Sequence, residues 1–395
     1  MFRPPMSGKI EGFRFGAVSA GIRKDGRIDL ALAVCDRPAV TAALFTRNLV
    51  KAAPVLVAAE RASSGLARAV LANAGCANAV TGEQGLRAVH TTTAAVAKAL
   101  GISPEEVLPA STGVIGAHLP VERIVEQAPA LAAKLTAEAH EDFALAICTT
   151  DRWTKISETE VEGARILAIG KGAGMIHPDV GGLPHATMLV FIFTDAVVEQ
   201  ATLARALEAA SEVTFNSCSV DGDTSTNDTV VAMASGASGK QPSEAALTRG
   251  LTKVCDALAR SMVADGEGAK HVAEIKVKGL ASTADAKAAA KTIATSLLVK
   301  TALFGEDANW GRLLAAAGRA GVPFDPRRAA ISVGDIAIVK DGAPIGAEVE
   351  RRANEILKQA SYTIELSLGD GPGEARYLTS DLGHGYVDVN AGYRS

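Results

Sequence analysis

The chain has 395 residues, of which 48% are hydrophobic, 21% charged and 4% aromatic, and its formal net charge is -4. This composition supplies a sizeable core and excludes a strongly basic surface, so no nucleic-acid partner is expected. The length predicts two domains or one large two-lobed unit.

No apolar run reaches the length needed to span a membrane, and the first residues lack the apolar region of a signal peptide. We therefore expect a cytoplasmic protein with no membrane partner. The five cysteines are scattered and never form a Cys-x-x-Cys pair, and the seven histidines are dispersed. This pattern fits a reducing compartment and predicts no metal site.

The first half of the chain mixes short apolar runs with alanine-rich helical periodicity. Strands are predicted over residues 13–22, 28–35, 40–45, 143–147 and 166–169. Helices are predicted over residues 61–71, 83–100 and 121–135.

The second half begins with the apolar run Met188 to Phe193, which has the length of a buried strand. Helices are predicted over residues 200–215, 243–262, 284–298 and 347–359, and strands over residues 272–277, 330–333, 362–367 and 386–390. Because strands and helices do not alternate regularly, we expect a layered α/β (α+β) fold rather than a Rossmann sheet. A domain seam is expected near residues 266–270 or 280–283.

Thr187 lies where the glycine-rich segment from Lys171 meets the apolar run. A hydroxyl at this junction has the chemistry to attack the preceding peptide bond, and the freed α-amine would then act as a base beside it. A threonine at the start of a strand is also an ordinary strand former, and the spacing leaves both interpretations open.

Two further segments are rich in small and polar side chains. Ser111 to Gly116 is predicted as a turn whose backbone N–H groups suit an oxyanion, or as a plain strand-to-helix connection. Residues 215–229 resemble a calcium loop in their Asp-Gly-Asp but lack its twelfth-position glutamate. We predict instead a hydrogen-bonded turn that builds a pocket wall.

Near the end of the chain, Glu267 lies between two glycines, a position that suits either a substrate ammonium or ordinary solvation. Trp310 is expected to anchor a core or an interface, because aromatic residues are scarce. The polar tail Asn390 to Ser395 is either frayed or folded back onto a site.

These blocks, in this order, resemble the ornithine acetyltransferases of arginine biosynthesis over nearly the whole chain. The blocks are STGVIG (111–116), TTD (149–151), KGAGMI (171–176), ATML (186–189), SVDGDTSTNDT (219–229), DGEGA (265–269), KTALFGEDANWGR (300–312) and NAGYRS (390–395). The segment LANAGCANAVTGEQG (71–85) is similar as well.

The resemblance implies a fold related to N-terminal-nucleophile autoproteases, with a smaller C-terminal α/β lobe from about residue 275. It implies self-cleavage between Ala186 and Thr187 into an α chain, 1–186, and a β chain, 187–395. Two copies of each chain would form a heterotetramer.

The resemblance also implies that Thr187 takes an acetyl group from N2-acetylornithine and passes it to L-glutamate. The oxyanion hole maps to Thr112 and Gly113. The implied substrate-binding residues are Thr149 or Thr150, Lys171, Thr187, Glu267, Asn390 and Ser395. No cofactor is implied, although some members accept acetyl-CoA as a donor.

Two departures from the family pattern bear on the site. Five extra residues, Gly181 to His185, precede the scissile bond and put its cleavage efficiency in doubt, and His185 is either a proton shuttle or a solvated loop residue. Cys76 stands where the family usually has asparagine, so we expect a weaker hydrogen bond there. The competing functions are a related self-processing amidohydrolase or aminopeptidase, and an unprocessed binding protein without activity.

Overall fold

The computed structural model describes residues 9–178 and 188–392. These residues form two compact units. The first unit holds the described residues within Met1–Asn216 and Asp223–Ala259, and the second those within Ser217–Gly222 and Arg260–Arg394.

Short strands and amphipathic helices follow one another without a fixed repeat. The strands are β1 (Phe13–Val18), β2 (Leu30–Phe45), β3 (Leu66–Cys76), β4 (Val107–Val114), β5 (Lys155–Val161), β6 (Ala164–Lys171), β7 (Leu189–Thr194), β8 (Cys218–Ser219), β9 (Thr229–Ala234), β10 (Val272–Gly279), β11 (Ala330–Val333), β12 (Ile336–Lys340), β13 (Ala343–Pro344), β14 (Ser361–Ser367) and β15 (Gly371–Ser380). The helices are α1 (Ala53–Ala62), α2 (Gly82–Leu100), α3 (Val121–Ala133), α4 (His140–Ala146), α5 (Gln200–Glu212), α6 (Glu244–Ala264), α7 (Thr283–Ala294), α8 (Leu297–Phe304), α9 (Trp310–Gly318), α10 (Ala347–Leu357) and α11 (His384–Gly392).

The sheet of the first unit has the strand order β4-β3-β2-β9-β7-β6-β5, with β1 paired to β2. The central strands β7 and β9 are parallel, and their register pairs Leu189 with Thr229. Strand β6 is antiparallel to β7 and pairs Lys171 with Leu189. All six residues of β7 are buried, as expected for a strand covered on both faces.

Buried aromatic rings fill the core between this sheet and α4. Phe143 of α4 lies edge-on to Phe191 at 5.4 Å between ring centroids and to Phe15 at 6.0 Å. Phe15 meets Phe193 at 5.0 Å. These edge-to-face contacts add to the burial of each ring and fix α4 against β1 and β7.

The second unit is built on a separate sheet with the strand order β13-β12-β11-β14-β10-β15-β8. Helix α7 packs on β10 and β15 with alanines at its buried positions, so the helix approaches the sheet closely. The two sheets confirm the predicted mixed α/β class. The boundary between the units falls within α6, between residues 259 and 260.

Most of the predicted helices are confirmed, including those over 83–100 and 121–135, but several short elements were assigned wrongly. The predicted strand 143–147 lies in helix α4 and its continuation, and the predicted strand 386–390 lies in helix α11. The predicted helix 61–71 is wrong because α1 ends at Ala62 and β3 begins at Leu66. Between them Gly65 has a φ of +75°, which a helix does not contain.

Two predicted interruptions of strands are also wrong. The predicted strands 28–35 and 40–45 are one long strand, β2, with an irregular register between Val34 and Ala39. Ser111 to Gly113 are not a turn but the end of β4. Within residues 9–178 and 188–392, no helix is both long and apolar enough to cross a membrane.

Replacing Phe143 by alanine should destabilise the first unit by about 3–5 kcal/mol, because the cavity removes contacts to three aromatic rings. The matched control is Leu145→Ala on the same helix, whose side chain is exposed and should lose far less. Urea denaturation followed by circular dichroism measures both. Equal losses for the two variants would contradict this account of the core.

Candidate active site

Several predicted site residues lie outside the described residues. They are the cleavage pair Ala186 and Thr187, the preceding insertion Gly181 to His185, and Ser395. The remaining predicted residues, Thr112, Gly113, Thr149, Thr150, Lys171, Glu267 and Asn390, are all described.

Lys171 is the last residue of β6, and its side chain points into the first unit. The residue is only 2% exposed. Its Nζ donates hydrogen bonds to Thr149 Oγ1 at 2.8 Å and to Thr112 Oγ1 at 3.2 Å. The structure therefore brings together three residues that the sequence places in separate motifs.

Asp151 supplies the negative charge for this ammonium group. Its Oδ2 lies 3.9 Å from Lys171 Nζ and accepts the N–H of Thr149 at 3.0 Å. Its Oδ1 accepts from Lys155 Nζ at 2.6 Å and from the N–H of Gly172 at 2.8 Å. One buried carboxylate thus serves two ammonium groups and two backbone amides.

The charge state of Asp151 follows from these partners. Burial by itself would raise the pKa of the carboxyl, but the ammonium groups of Lys171 and Lys155 outweigh it. Together with the hydrogen bonds from Lys155 and the Thr149 N–H they lower the pKa of Asp151 to about 2. The group therefore remains a carboxylate at any physiological pH.

Thr112 and Gly113 lie at the end of β4, where it runs parallel to β3. Gly113 has a φ of +129°, and a Cβ added there would lie 2.4 Å from the carbonyl carbon of Gly75. No residue with a side chain fits this position without moving the backbone. The glycine thus allows β3 and β4 to meet at an irregular register beside the buried Thr112 hydroxyl.

The polar stretch 219–229 ends at the same group of residues. Asn227 Nδ2 donates to the carbonyl oxygens of Ala77 at 2.6 Å and of Ser111 at 2.9 Å, and its Oδ1 accepts from Thr226 Oγ1 at 2.6 Å. The predicted hydrogen bonds are present, but residues 215–229 are not a single turn, because they include the short strand β8. The last buried acid of this stretch, Asp228, directly follows Asn227 and precedes β9.

Asp228 is as deeply buried as Asp151 but lacks its hydrogen-bond partners. It is fully buried, and neither carboxyl oxygen has a hydrogen-bond partner within the described part of the chain. Burial raises the pKa of Asp228 well above its usual range, and the nearby ammonium of Lys171 only partly opposes this. Burial without a hydrogen-bond donor therefore favours the protonated form of Asp228.

The second unit holds the other described candidates. Glu267 Oε2 accepts a hydrogen bond from Asn390 Nδ2 at 2.8 Å. Gly268, at a φ of +70°, packs so tightly that an added Cβ would lie 2.2 Å from the backbone nitrogen of Tyr386. The turn that carries Glu267 is thus fixed against α11, and Asn390 lies in the last part of that helix.

Cys76 retains a hydrogen bond in spite of its departure from the family pattern. Its Sγ donates to the carbonyl oxygen of Ala117 at 3.3 Å, and its carbonyl accepts from Asn73 Nδ2 at 2.9 Å. Burial raises the pKa of the thiol, so it stays neutral. Cys76 therefore still donates a hydrogen bond to Ala117, although a thiol is a weaker donor than the amide of asparagine.

The sequence reasoning singled out neither Asp151, Lys155 nor Asp228 as a site residue. Asp151 ends the Thr-Thr-Asp motif and Lys155 follows it four residues later, and that spacing was the available signal. Their complete burial came from the fold and not from any local pattern. No group of three or more His, Cys, Asp or Glu that could bind a metal occurs among the residues the structure describes.

Comparison with known proteins gives one consistent family. A model of the ArgJ family matches residues 14–395. The arginine biosynthesis bifunctional protein ArgJ of Geobacter sulfurreducens is 46% identical over 396 residues, covering 98% of this chain and 100% of the relative. The protein of the same name from Nitratidesulfovibrio vulgaris is 46% identical over 398 residues, covering 99% of this chain and 100% of that one.

A solved structure agrees with these relatives. The crystal structure of the arginine biosynthesis bifunctional protein argJ from Bacillus halodurans is 40% identical and has a TM-score of 0.50. The match covers 51% of this chain and 98% of that chain.

Asp151→Asn should cost about 3–5 kcal/mol of stability at neutral pH, because two buried ammonium groups lose their counter-ion. The pKa of Asp151 is depressed, so its contribution is present above its usual value of 3.8 and is lost as the pH falls through about 2. The difference in unfolding free energy between wild type and variant should therefore shrink as the pH is lowered below about 4.

The matched control is Asp25→Asn, which removes an exposed carboxylate that also pairs with two basic side chains, Arg23 and Arg27. Water screens that pair, so the control should lose much less stability. Urea denaturation across the acidic pH range measures both variants. A loss for Asp151→Asn that equals the control would refute the assigned role.

Proposed function

This chain belongs to the ArgJ family, and we propose that it transfers the acetyl group of N2-acetylornithine to L-glutamate, giving ornithine and N-acetylglutamate. Its class is that of the family, a multifunctional acyltransferase of arginine biosynthesis. The observation that carries the proposal is the buried ammonium of Lys171, which binds the hydroxyls of Thr112 and Thr149 at the end of a strand paired with β7.

The chemistry begins at Thr187. Its hydroxyl attacks the acetyl carbonyl while its own α-amine accepts the proton, because an α-amine with a pKa of roughly 7.7–8.0 is partly neutral in the cell. The C–N bond then breaks, and ornithine leaves with the proton on its amine. The α-amine of glutamate attacks the acetyl ester in turn and frees the Thr187 hydroxyl.

Thr112 and Gly113 stabilise the oxyanion of both tetrahedral intermediates. The Thr112 oxygen accepts a hydrogen bond from Lys171 Nζ, which leaves its own proton free to be donated. The adjacent ammonium also polarises this O–H bond, so it becomes a stronger donor. Losing one such donor typically lowers the rate by about 10²–10³.

The substrates are small amino acids, and each carries an α-carboxylate. Lys171 pairs with this carboxylate, beside Thr149 or Thr150. The hydrogen bond from Lys171 Nζ to the Thr149 hydroxyl supports Thr149 as the residue that contacts the substrate. Glu267, held by Asn390, binds the side-chain ammonium of ornithine. Ser395 completes the proposed binding set, and contacts to the glutamate side chain run through water.

The same proposal includes self-cleavage between Ala186 and Thr187. The products, 1–186 and 187–395, remain associated as a heterotetramer of two copies each, in the cytoplasm. No cofactor takes part, and acetyl-CoA is a second donor substrate.

Purified protein should run as two fragments that divide before Thr187, and Thr187→Ala should give a single species of 40.5 kDa. The cleaved protein should form N-acetylglutamate and ornithine in equal amounts, and the variant should form neither. Mass spectrometry and chromatography measure these products. Acetate in place of N-acetylglutamate would indicate a hydrolase, and full transfer by an uncleaved chain would refute the mechanism.

Glu267→Gln should raise the KM for N2-acetylornithine about tenfold or more and change the KM for glutamate much less, because only ornithine carries a side-chain ammonium. The matched control is Glu355→Gln, an exposed glutamate on α10 that pairs with Lys358. Steady-state kinetics with each substrate varied in turn separates the two constants. An equal rise in both would remove Glu267 from the recognition of the ammonium.

A further inference from the structure

Asp228 lies beside the proposed catalytic residues but has no part in the mechanism above. It is the last residue before β9, where the N–H of Thr229 donates to the carbonyl of Met188 at 2.9 Å. Its own carbonyl accepts the N–H of Thr46 at 3.0 Å. The backbone of Asp228 is thus held at the start of the parallel β7–β9 pair, and its side chain cannot turn out to solvent.

The side chain is unusual because it is a buried acid without a hydrogen bond from the rest of the described chain. An ionised carboxylate in such a place costs several kcal/mol unless it is paired. Asp151, by contrast, accepts three hydrogen bonds and forms an ion pair with Lys171. Within the described part of the chain, one acid of the site thus has hydrogen-bond donors and the other has none.

The charged groups around Asp228 belong to the same site. The ammonium of Lys171 on β6 is near enough to lower the pKa of Asp228 by its charge. Lys171 is paired in turn with the carboxylate of Asp151, which also binds the ammonium of Lys155. With Asp228 neutral, this group has two ammonium charges and one carboxylate charge, so one positive charge is left over. Ionisation of Asp228 would cancel that charge.

We propose that Asp228 is a positioning residue which determines specificity: by keeping its proton, it leaves the positive charge of Lys171 available for the carboxylate of a substrate. The inference rests on the proposed function, in which Lys171 binds that carboxylate. Burial with no hydrogen-bond donor among the described residues raises the pKa of Asp228 and favours the form that keeps its proton. As the pH rises through this raised pKa, Asp228 ionises and competes with the substrate for Lys171.

The test is the pH dependence of the KM for glutamate. In wild type the KM should rise on the alkaline side, by up to about tenfold per pH unit once the ionised form predominates, because only the protonated enzyme binds well. Asp228→Asn has a neutral group of the same shape. It should keep the KM of wild type near neutral pH and lose the excess alkaline rise.

The matched control is Asp195→Asn at the other end of β7, a buried acid whose Oδ1 accepts the N–H of Arg165 at 2.8 Å. It should retain the alkaline rise of wild type, and effects of pH on glutamate itself cancel in the comparison. The pH profile of kcat should be the same in all three proteins. Asp228→Ser, a second neutral variant, replaces Asp228→Asn if the latter does not fold or cleave.

Several results would overturn the inference. They are a flat KM profile in wild type, an alkaline rise that survives in the neutral variants, and a KM near neutral pH that increases tenfold in Asp228→Asn. Wild type that forms no N-acetylglutamate would remove the proposed function as well. Normal transfer with a flat KM profile would remove only the role of Asp228.

Discussion

The buried ammonium of Lys171 is the constraint on which the first unit depends. An amine so far from water must have its charge balanced and its protons donated, and the sequence supplies the partners from separate places. Thr112 comes from the end of β4, whereas Thr149 and Asp151 come from the segment after α4. The hydrogen bonds and ion pair of one ammonium group therefore hold β6, the end of β4 and the segment after α4 together.

Backbone geometry at the same place is constrained just as tightly. Gly113 approaches Gly75 more closely than any side chain allows, and Asn227 joins the carbonyls of Ala77 and Ser111 through a single amide group. These contacts hold the irregular ends of β3 and β4 in one arrangement. The proposed active site gains from such a rigid frame, because catalytic groups must be held close to their productive geometry.

The sequence predicted what depends on long periodicity and on residue order. The α2 helix is predicted correctly because its buried residues, such as Ala88, Thr92 and Val96, recur at helical spacing. The short run at Phe143 fits a strand and a buried helix equally well. Motif order predicted Thr112 and Lys171 as site residues, and the structure places their side chains within hydrogen-bond distance. Asp151 and Asp228 look alike in the sequence, and only the groups around each show that the ionised form is favoured at Asp151 and the protonated form at Asp228.

The strand order of the first sheet has a consequence for a chain cut before residue 187. Strands β9 and β7, which follow the cut, lie between β2 and β6, which precede it. The downstream piece is thus hydrogen-bonded on both sides by the upstream piece. Dissociation of the fragments would break the hydrogen bonds between β2 and β9 and between β7 and β6. Neither fragment contains all the strands of this sheet.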